Sequence, residues 1–453
     1  DVLMNDLYHL EKRLEAPMKL LEPIEGLPSM FARCFLSTLE STLQMDADGS
    51  AYVITGDIDA MWLRDSTQQV LHYLRFAREE EALSALIRSL IERQARYVLL
   101  DPYANAFNRC ANGRHGYADL PAAGPAVWER KYELDSLCHV VLLAWRYHEA
   151  TGSRAFMTPT FEQALERIVQ VLRTEQRHES QSDYTFQRFN CPPSDTLPRQ
   201  GRGEPVAETG MTWSGFRPSD DACQYGYLVP ANLFAAAMLA HLAMMAEWSG
   251  RTALASEARA LRQEIRDGVE RFALVDDPEF GQVYAYEVDG LGGRLLMDDA
   301  NVPSLLSLPY IGACAVDDAL YRRTRAFVLS PRNPHYYEGR AGRGVGSPHT
   351  PQGYIWPIAL CVQGMTATDE REMTEVLGRL ITTHAGTARM HEGFDKDNAA
   401  NFTRPWFAWA NSMFGEFIYR LYEQGRIARI IQRLGEKGIK SINELNVLTR
   451  DII

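Results

Sequence analysis

Apolar residues recur at intervals of three and four along most of the sequence, and this spacing limits the possible folds more than any other feature. Such spacing places apolar side chains on one face of an α-helix. No Pro-, Gly- or Ser-rich linker divides the chain, and strand-like runs do not alternate with the helical ones. A length of 453 residues would by itself suggest two or three domains. The undivided pattern instead predicts one all-α domain over residues 1–453, a ring of paired helices with short loop hairpins.

Capping and helix-breaking residues set the bounds of the helical segments. The segment 230–250 is apolar on nearly every face and is therefore predicted to be buried. The segment 66–102 contains either two helices or one broken helix, and "GQVYAYEVDG" (Gly281–Gly290) is predicted to be a hairpin strand. The remaining predicted helices span 133–152, 159–178, 252–274, 316–328, 354–362, 369–384, 406–424 and 428–435.

The composition argues against several classes of partner. A net charge of −12 disfavours general attraction to nucleic acid or to an anionic membrane, and a small neutral ligand suits this charge better. Seven scattered cysteines without a CxxC pair indicate a reducing compartment. We therefore expect a cytoplasmic monomer without a cofactor. Because residue 1 is Asp and not Met, removal of a leader, with a periplasmic or secreted location, is the alternative.

Polar loops rich in Gly and Pro carry six of the eight tryptophans. Aromatic rings stack on the apolar faces of sugars, while Arg, Asp, Glu, Asn and His side chains bind hydroxyl groups. These loops therefore favour a pocket for a polyhydroxylated ligand, although a single Trp in a loop also commonly anchors that loop to the core. The six residues are Trp62, Trp128, Trp213, Trp356, Trp406 and Trp409.

Two charged loops supply candidate catalytic carboxylates. The turn "GFRPSDDACQYGY" contains Arg217, Asp220 and Asp221, and "RMHEGFDKDN" contains Glu392. Glycoside hydrolysis uses one protonated carboxyl group and one carboxylate, and repulsion within the Asp220–Asp221 pair would retain one proton near neutral pH. The structural alternatives are an N-cap on a helix beginning near Ala222 and, for Glu392, a salt bridge within its loop.

The common metal-binding and phosphate-binding motifs do not occur in the sequence. His391 and Glu392 begin like a zinc-protease motif, but that motif requires a second His at position 395, which is Asp. The segment "DKDN" lacks the Gly and the distal Glu of a calcium-binding loop. No P-loop and no Gly-x-Ser-x-Gly motif is present. The sequence therefore predicts chemistry without a metal.

Six loop motifs, taken together and in order, resemble glycoside hydrolase family 125. They are "TGDIDAMWLRDS", "ERKYELDSLC", "GFRPSDDA", "MDDANVPSLLSLPYIG", "TPQGYIWPIAL" and "FTRPWFAWANSMFGE", and the match extends over roughly Leu36–Tyr422. The resemblance implies an (α/α)6 barrel and a metal-independent, inverting exo-α-1,6-mannosidase. The implied substrate is an α-1,6-linked mannooligosaccharide or N-glycan fragment.

The resemblance also implies roles for individual residues. The general acid of the family is an aspartate in "RPSDD", which matches Asp220 in preference to Asp221, and its general base matches Glu392 in "MHEGFD". The predicted substrate-binding residues are the sugar-hydroxyl ligands implied by the resemblance (Arg64, Asp65, Asn301 and His349) and neighbours in the charged and aromatic loops (Trp62, Arg217, Asp221, Trp356, His391 and Trp406).

Two other functions remain as alternatives. A glycoside phosphorylase on a similar helical barrel needs one acid and a phosphate site, so Glu392 would be superfluous. A non-catalytic glycan-binding protein would need neither Asp220 nor Glu392. The presence of both carboxylates therefore favours hydrolysis.

Overall fold

The protein consists mainly of α-helices joined by loops. Its structure, a computed structural model, describes residues 2–444. Long helices alternate with short helical turns. The helices are α1 (Val2–Leu21), α2 (Leu27–Ser37), α3 (Leu63–Gln68), α4 (Leu74–Ala77), α5 (Glu81–Leu100), α6 (Leu134–Thr151), α7 (Pro159–Glu175), α8 (His178–Gln181), α9 (Pro198–Gly201), α10 (Val229–Trp248), α11 (Thr252–Phe272), α12 (Ala319–Val328), α13 (Pro357–Thr366), α14 (Glu370–Thr382), α15 (Ala408–Glu423) and α16 (Ile427–Glu436).

The helices differ in how much of their surface is buried. Helices α6, α10, α13 and α15 are buried over most of their surface, in keeping with their largely apolar sequences. Helices α7, α11, α14 and α16 bury one apolar stripe and carry polar residues on the remaining surface. Helix α10 packs against α6 and α11, while α15 packs against α2 and α13. The main core therefore consists of buried helices, and amphipathic helices cover it. The predicted burial of segment 230–250 is confirmed.

Short strands connect the helices and pair in small sheets. Every pair of named strands is antiparallel, so the prediction that disfavoured a parallel sheet is confirmed for the described residues. The segment predicted as one strand at Gly281–Gly290 contains two strands, β8 and β9, which belong to different sheets. The strands are β1 (Leu43–Met45), β2 (Ala51–Val53), β3 (Met61–Trp62), β4 (Ala106–Phe107), β5 (Val127–Glu129), β6 (Tyr227–Leu228), β7 (Leu274–Asp277), β8 (Gly281–Tyr284), β9 (Glu287–Val288), β10 (Arg294–Leu295), β11 (Tyr336–Glu338), β12 (Arg343–Val345), β13 (Tyr354–Ile355), β14 (Gly393–Asp395) and β15 (Phe402–Thr403).

Most predicted helices occur within a few residues of their predicted bounds. The segment 66–102 is a broken helix, divided among α3, α4 and α5 by short turns, and the helix predicted for 354–362 begins only after strand β13. The prediction of a helix that begins near Ala222 is wrong. Residues 217–221 form a tight hydrogen-bonded turn, and the next helix begins only at Val229, so neither aspartate of the turn caps a helix there.

Helix α10 also has the length and mean hydropathy of a membrane span. However, 72% of its apolar window is buried inside the protein. A helix that is apolar all round and surrounded by other helices is equally the expected core element of a large globular protein. The burial of α10 therefore favours the role of a core helix.

All seven cysteines have free thiol groups.

The N-terminal ends of buried helices bring distant loops together. Trp62, Trp356 and Phe407 are the residues that immediately precede α3, α13 and α15. All three side chains line one cavity, so these helices begin at the same side of the protein. Helix N-termini carry partial positive charge and unpaired N–H groups, which suits a site built from carboxylates and hydroxyl-binding groups.

The close packing of α2 against α15 can be tested at one glycine. A Cβ atom on Gly415 would lie 2.8 Å from the main-chain Cα of Phe35, whereas a Cβ on Gly435 in α16 would meet no atom within 4 Å. We expect Gly415→Ala to lower the free energy of unfolding by about 1–3 kcal/mol, because backbone atoms must shift. Gly435→Ala should instead raise it by up to about 1 kcal/mol, because alanine favours the helix.

Urea denaturation followed by circular dichroism measures both effects. Equal stability changes in the two variants would contradict the contact between α2 and α15.

Candidate active site

One cavity brings together most of the residues predicted from the sequence. Three indole rings and a phenyl ring share its wall with carboxylates, guanidinium groups, an imidazole and an amide. Eight of the twelve predicted site residues line it, including both candidate catalytic carboxylates. The lining residues are Thr55, Ile58, Trp62, Arg64, Asp65, Pro218, Ser219, Asp220, Asn301, His349, Trp356, Glu392, Arg404, Phe407 and Trp409.

A tight turn presents Asp220 to this cavity. The N–H of Asp220 donates to the carbonyl oxygen of Arg217 (2.9 Å), and the N–H of Arg217 donates to the carbonyl oxygen of Asp221 (2.7 Å). Asp220 therefore adopts a left-handed conformation with φ +70°. Aspartate is one of the few non-glycine residues that adopt this conformation readily, since its short side chain hydrogen-bonds locally. Asp220 and Asp221 thus belong to a turn that directs their carboxyl groups toward different partners.

Three donors hold one oxygen of the Asp220 carboxyl group. Trp62 Nε1 lies 3.2 Å from Oδ1, Asn105 Nδ2 lies 3.2 Å from it, and Arg64 Nη2 lies 3.4 Å from it. No N–H or hydroxyl group of the described residues donates to Oδ2, and the side chain is 25% exposed. Because Oδ1 accepts hydrogen bonds from three N–H groups, it is the unprotonated oxygen of the carboxyl group. Oδ2 is therefore the oxygen available to carry and donate a proton.

The Asp221 side chain is directed away from Asp220. Its Oδ1 lies 2.8 Å from His349 Nδ1, and Asp221 does not line the cavity. The expectation that Asp220 and Asp221 share a proton is therefore not supported. A different carboxyl group, that of Glu133, is within hydrogen-bonding reach of Asp220.

His349 lines the same cavity as the two candidate catalytic groups. Burial would lower its pKa, but the hydrogen bond and negative charge of Asp221, with additional attraction from Glu392 and Asp220, raise the pKa to about 9. The imidazole is therefore protonated at neutral pH. Both Asp220 and Glu392 act on this ring, so all three groups face one small space.

Glu392 also lines the cavity. It immediately precedes strand β14, and its N–H donates to the carbonyl oxygen of Thr403 (3.2 Å), which fixes its place beside β15. Arg404 Nη1 lies 3.6 Å from Glu392 Oε2, and Arg404 Nη2 lies 2.6 Å from Asp57 Oδ1. The salt bridge considered from the sequence is thus present. It pairs Glu392 with a cation that itself lines the cavity.

The remaining lining residues are held by short local bonds. Asn301 Nδ2 donates to Asp299 Oδ1 (2.8 Å). No donor among the described residues reaches the amide oxygen of Asn301, so this oxygen can bind a ligand. Trp356 Nε1 donates to Thr350 Oγ1 (2.8 Å), so the indole presents only its ring. Burial raises the pKa of Asp65, although the positive charge of Arg64 acts in the opposite direction. Fixed rotamers of this kind give a preformed site.

Four predicted substrate-binding residues do not line the cavity. Arg217 is buried behind the turn, where it binds Glu287 through Nε (2.5 Å) and Nη2 (3.0 Å), so it does not form the pocket wall expected of it. His391 is buried and stacks on Phe402 with ring centroids 4.3 Å apart, and burial lowers its pKa to about 4. Trp406 is 39% exposed and lies outside the lining. Asp221, the fourth, acts through His349.

Two other loop tryptophans have structural surroundings. Trp213 is buried and stacks on His178 with ring centroids 3.6 Å apart, so it anchors its loop to the core. Trp128 is partly buried and packs beside Gly116. The alternative that a loop tryptophan serves the core thus holds for Trp213, whereas Trp62, Trp356 and Trp409 line the cavity.

The sequence prediction missed several residues of the site, and four of them bear on its polar and aromatic contacts. Arg404 and Phe407 line the cavity, and Asn105 and Glu133 contact Asp220 from behind it. The signal for Arg404 lay in "FTRPWFAWANS", where a charged residue precedes Pro in an aromatic loop. Asn105 and Glu133 carry no such local signal, because their partner is more than 80 residues away in the sequence.

The residue types at this site are those of acid–base chemistry on a polyhydroxylated molecule. Among residues 2–444 there is no group of three or more His, Cys, Asp or Glu side chains that could hold a metal ion. The cavity instead offers one carboxyl group held at a single oxygen, a second carboxylate beside a cation, and several hydroxyl-binding groups. Such a pair can protonate one atom and activate a water molecule on the opposite side of a bond.

Comparisons with known sequences agree with this chemistry. A family model described as "Metal-independent alpha-mannosidase (GH125)" matches residues 25–419. The "Meiotically up-regulated gene 157 protein" of Schizosaccharomyces pombe is 41% identical over 438 residues, which cover 92% of this chain and 86% of that relative.

Solved structures are similar as well. A Streptococcus pneumoniae structure from a family of metal-independent α-mannosidases, a non-productive complex with α-1,6-mannobiose, has a TM-score of 0.89 at 40% identity and covers 91% of this chain and 98% of its own. A bacterial glucoamylase complexed with acarbose has a TM-score of 0.55 at 11% identity and covers 89% of this chain and 57% of its own. The second likeness concerns the fold alone.

The His349–Asp221 pair predicts a pH-dependent contribution to stability. The pKa of His349 is about 9 in the folded protein and about 6.5 in an unfolded chain. Its stabilising contribution is therefore fully present below pH ~6.5 and is lost as the pH rises through about 9. We expect the difference in free energy of unfolding between wild type and His349→Gln to be greater at pH 6 than at pH 9.5, and to be modest in size because the His349 side chain is partly exposed.

Urea denaturation at several pH values provides the measurement. Asp221→Asn is the matched control, since removal of the partner should abolish the same pH dependence. A difference between wild type and His349→Gln that is constant with pH, or that grows as the pH rises, would show that this pair is not ionised as described.

Proposed function

The chain belongs to the metal-independent α-mannosidases of glycoside hydrolase family 125, and from this premise we propose that it is an inverting exo-α-1,6-mannosidase. The observation that carries the proposal is the presence of Asp220 and Glu392 in one cavity, where both act on His349. An acid and a base on opposite sides of a bound sugar are what direct displacement by water requires.

The proposed architecture is a single (α/α)6 barrel domain. Buried helices α6, α10, α13 and α15 would form part of the inner ring, and amphipathic helices would form the outer ring. The fold likeness to the bacterial glucoamylase supports this arrangement. The convergence of helix N-termini on one cavity is consistent with an active site at one end of such a ring.

In the proposed mechanism Asp220 is the general acid. Oδ2 donates a proton to the glycosidic oxygen as the bond from that oxygen to the anomeric carbon breaks, while Trp62, Asn105 and Arg64 hold Oδ1. Glu392 removes a proton from a water molecule, and the water oxygen bonds to the anomeric carbon from the opposite face. The products are free mannose with inverted configuration and the shortened glycan.

The cavity suits the terminal sugar of an α-1,6-linked mannooligosaccharide or N-glycan fragment. Most of its lining side chains are buried, which favours a closed pocket for one sugar over an open groove. Arg64, Asp65, Asn301 and His349 would bind hydroxyl groups, while Trp62 and Trp409 would pack against the apolar ring faces. The α-1,6-mannobiose bound to the Streptococcus pneumoniae structure supports the proposed linkage.

Product analysis with mannobioses tests the proposed function. We expect the enzyme to cleave α-1,6-mannobiose in preference to the α-1,3- and α-1,2-linked isomers. Because Glu392 would activate water, the first product should be β-mannose, and the two carboxyl groups should stand about 6.5–9.5 Å apart in a substrate complex. Proton NMR in the first minutes of turnover distinguishes the two anomers.

Three outcomes would contradict the proposal. Initial release of α-mannose would remove Glu392 from the role of base. Turnover that depends on added phosphate would indicate a phosphorylase, and binding without product over a long incubation would indicate a glycan-binding protein.

Leaving-group dependence separates the roles of the two carboxylates. A departing sugar needs a proton, whereas dinitrophenolate hardly does. Asp220→Asn should therefore reduce cleavage of α-1,6-mannobiose by about 10²–10⁴-fold but spare much of the activity on dinitrophenyl α-mannoside. Glu392→Gln should impair both substrates, because water activation is needed in either case.

Asp221→Asn is the neighbouring control for this comparison. It should affect the two substrates alike, since Asp221 acts on His349 and does not reach the cavity. If Asp221→Asn shows the selective loss and Asp220→Asn does not, the general acid is Asp221.

A further inference from the structure

Four carboxyl groups surround the single guanidinium group of Arg64 behind the cavity. Asp65 Oδ1 lies 3.2 Å from Nε, Asp135 Oδ2 lies 3.4 Å from Nη1, and Asp220 Oδ1 lies 3.4 Å from Nη2. Glu133 Oε2 makes the closest contact of the four, also with Nη1. The side chains of Glu133 and Asp135 are completely buried, and that of Arg64 is 4% exposed.

The buried charges in this cluster do not balance unless it holds a proton. If all four carboxyl groups are ionised, Arg64 compensates only one of them. Lys131 adds only part of a second positive charge, because its ammonium group is shared between Asp195 Oδ1 (3.0 Å) and the main-chain oxygen of Asp220 (2.8 Å). Burial of uncompensated charge is costly, so a buried carboxyl group takes up a proton instead.

Contacts place that proton between Glu133 and Asp220. Both carboxyl groups contact the same guanidinium group, Glu133 through Nη1 of Arg64 and Asp220 through Nη2, and a hydrogen bond between the two carboxyl groups shifts the pKa of each. Two carboxyl groups form such a bond only when one of them is protonated. Glu133 Oε1 is fully enclosed, and no N–H or hydroxyl group of the described residues donates to it. Asp65 and Asp135 reach Arg64 but make no hydrogen bond to Asp220.

The pKa shifts of the pair agree with this placement. Burial raises the pKa of Glu133 well above its usual range, against the attraction of Arg64, and the negative charges of Asp220 and Asp135 raise it further. Burial acts in the same direction on Asp220, but Arg64, the hydrogen bond with Glu133 and Lys131 hold the pKa of Asp220 below its usual range. In the substrate-free protein the shared proton therefore resides on Glu133.

We propose that Glu133 is a positioning residue that shares one proton with Asp220 and keeps it available for the glycosidic oxygen. The inference rests on the proposed role of Asp220 as general acid. A bound sugar excludes water from Asp220 and so favours its neutral form. The proton then passes from Glu133 to Asp220, and the Glu133 carboxylate remains paired with Arg64 at the N-terminus of α6, where negative charge is favoured.

The proton is conserved through the reaction. Asp220 gives it to the glycosidic oxygen as the bond to the anomeric carbon breaks, and Glu392 takes a proton from the attacking water. After the products leave, Glu392 releases its proton to solvent and the Glu133–Asp220 pair regains one from solvent. The titratable or charged groups that face the pair are Arg64 and Asp65 on α3, Lys131, Asp135 and His139 at the start of α6, Cys223 after the turn, and His349 and Arg404 across the cavity.

The test compares Glu133→Gln with Asp135→Asn. Both variants replace a fully buried carboxyl group bound to Arg64 by an amide of the same shape, but only Glu133 contacts Asp220. Glu133→Gln should reduce kcat/KM for α-1,6-mannobiose by about 10²-fold at neutral pH and spare dinitrophenyl α-mannoside. The basic limb of its pH profile should move to lower pH, because Asp220 must then hold its proton alone beside Arg64 and Lys131.

Asp135→Asn should change both substrates alike and leave the basic limb in place. The same equal loss with an unmoved pH profile in Glu133→Gln would overturn the proposal, because that is the result of a purely structural role. Wild-type cleavage of α-1,6-mannobiose is measured alongside. If the wild type fails to cleave it, the proposed function is at fault and not the role of Glu133.

A second measurement does not depend on activity, and its decisive spectrum is that of the wild-type protein. Wild-type protein carrying ¹³C in the glutamate side-chain carboxyl groups is titrated by NMR. We expect one glutamate carboxyl to remain protonated at pH 7, and its resonance to be absent from Glu133→Asp. A wild-type spectrum in which every glutamate carboxyl is ionised at pH 7 would overturn the proposal.

Discussion

The site depends on the buried guanidinium group of Arg64. It joins the first turn of α3 to the start of α6 and to the turn that carries Asp220, so three distant parts of the chain meet at one cation. Loss of one partner from such a network leaves the others as uncompensated buried charge, which typically costs about 3–5 kcal/mol. The cluster is therefore stable only in the completely folded protein. In turn, the cluster fixes the position of the Asp220 loop against two helices.

The helices explain why this cluster lies at one side of the protein. Trp62, Glu133, Trp356 and Phe407 each immediately precede a helix, and the side chains of the first, third and fourth line the cavity directly. Unpaired N–H groups and partial positive charge at helix N-termini offset part of the negative charge that the carboxylates bring. A scaffold of packed helices thus supplies rigidity, and the loops before the helices supply chemistry.

The sequence predicted what local patterns encode. Three- and four-residue spacing located most helices, and the all-round apolar segment 230–250 is the buried helix α10. The loops that resemble the family contain thirteen of the fifteen residues that line the cavity. Partners that depend on the tertiary fold were beyond such reasoning. Arg217 binds Glu287 in β9, and Asp220 turns to Glu133 and not to its neighbour Asp221, because a left-handed turn separates the two aspartates.

The two candidate catalytic carboxylates differ in the sign of the charge beside them. Asp220 belongs to a buried group of carboxyls that outnumber their cation, so a proton is retained within reach of it. Glu392 instead lies beside Arg404, a cation that it shares with Asp57. The group around Asp220 therefore has a shared proton to supply, whereas the described partner of Glu392 is a cation. The proposed division of roles rests on these different surroundings, since the two side chains carry the same functional group.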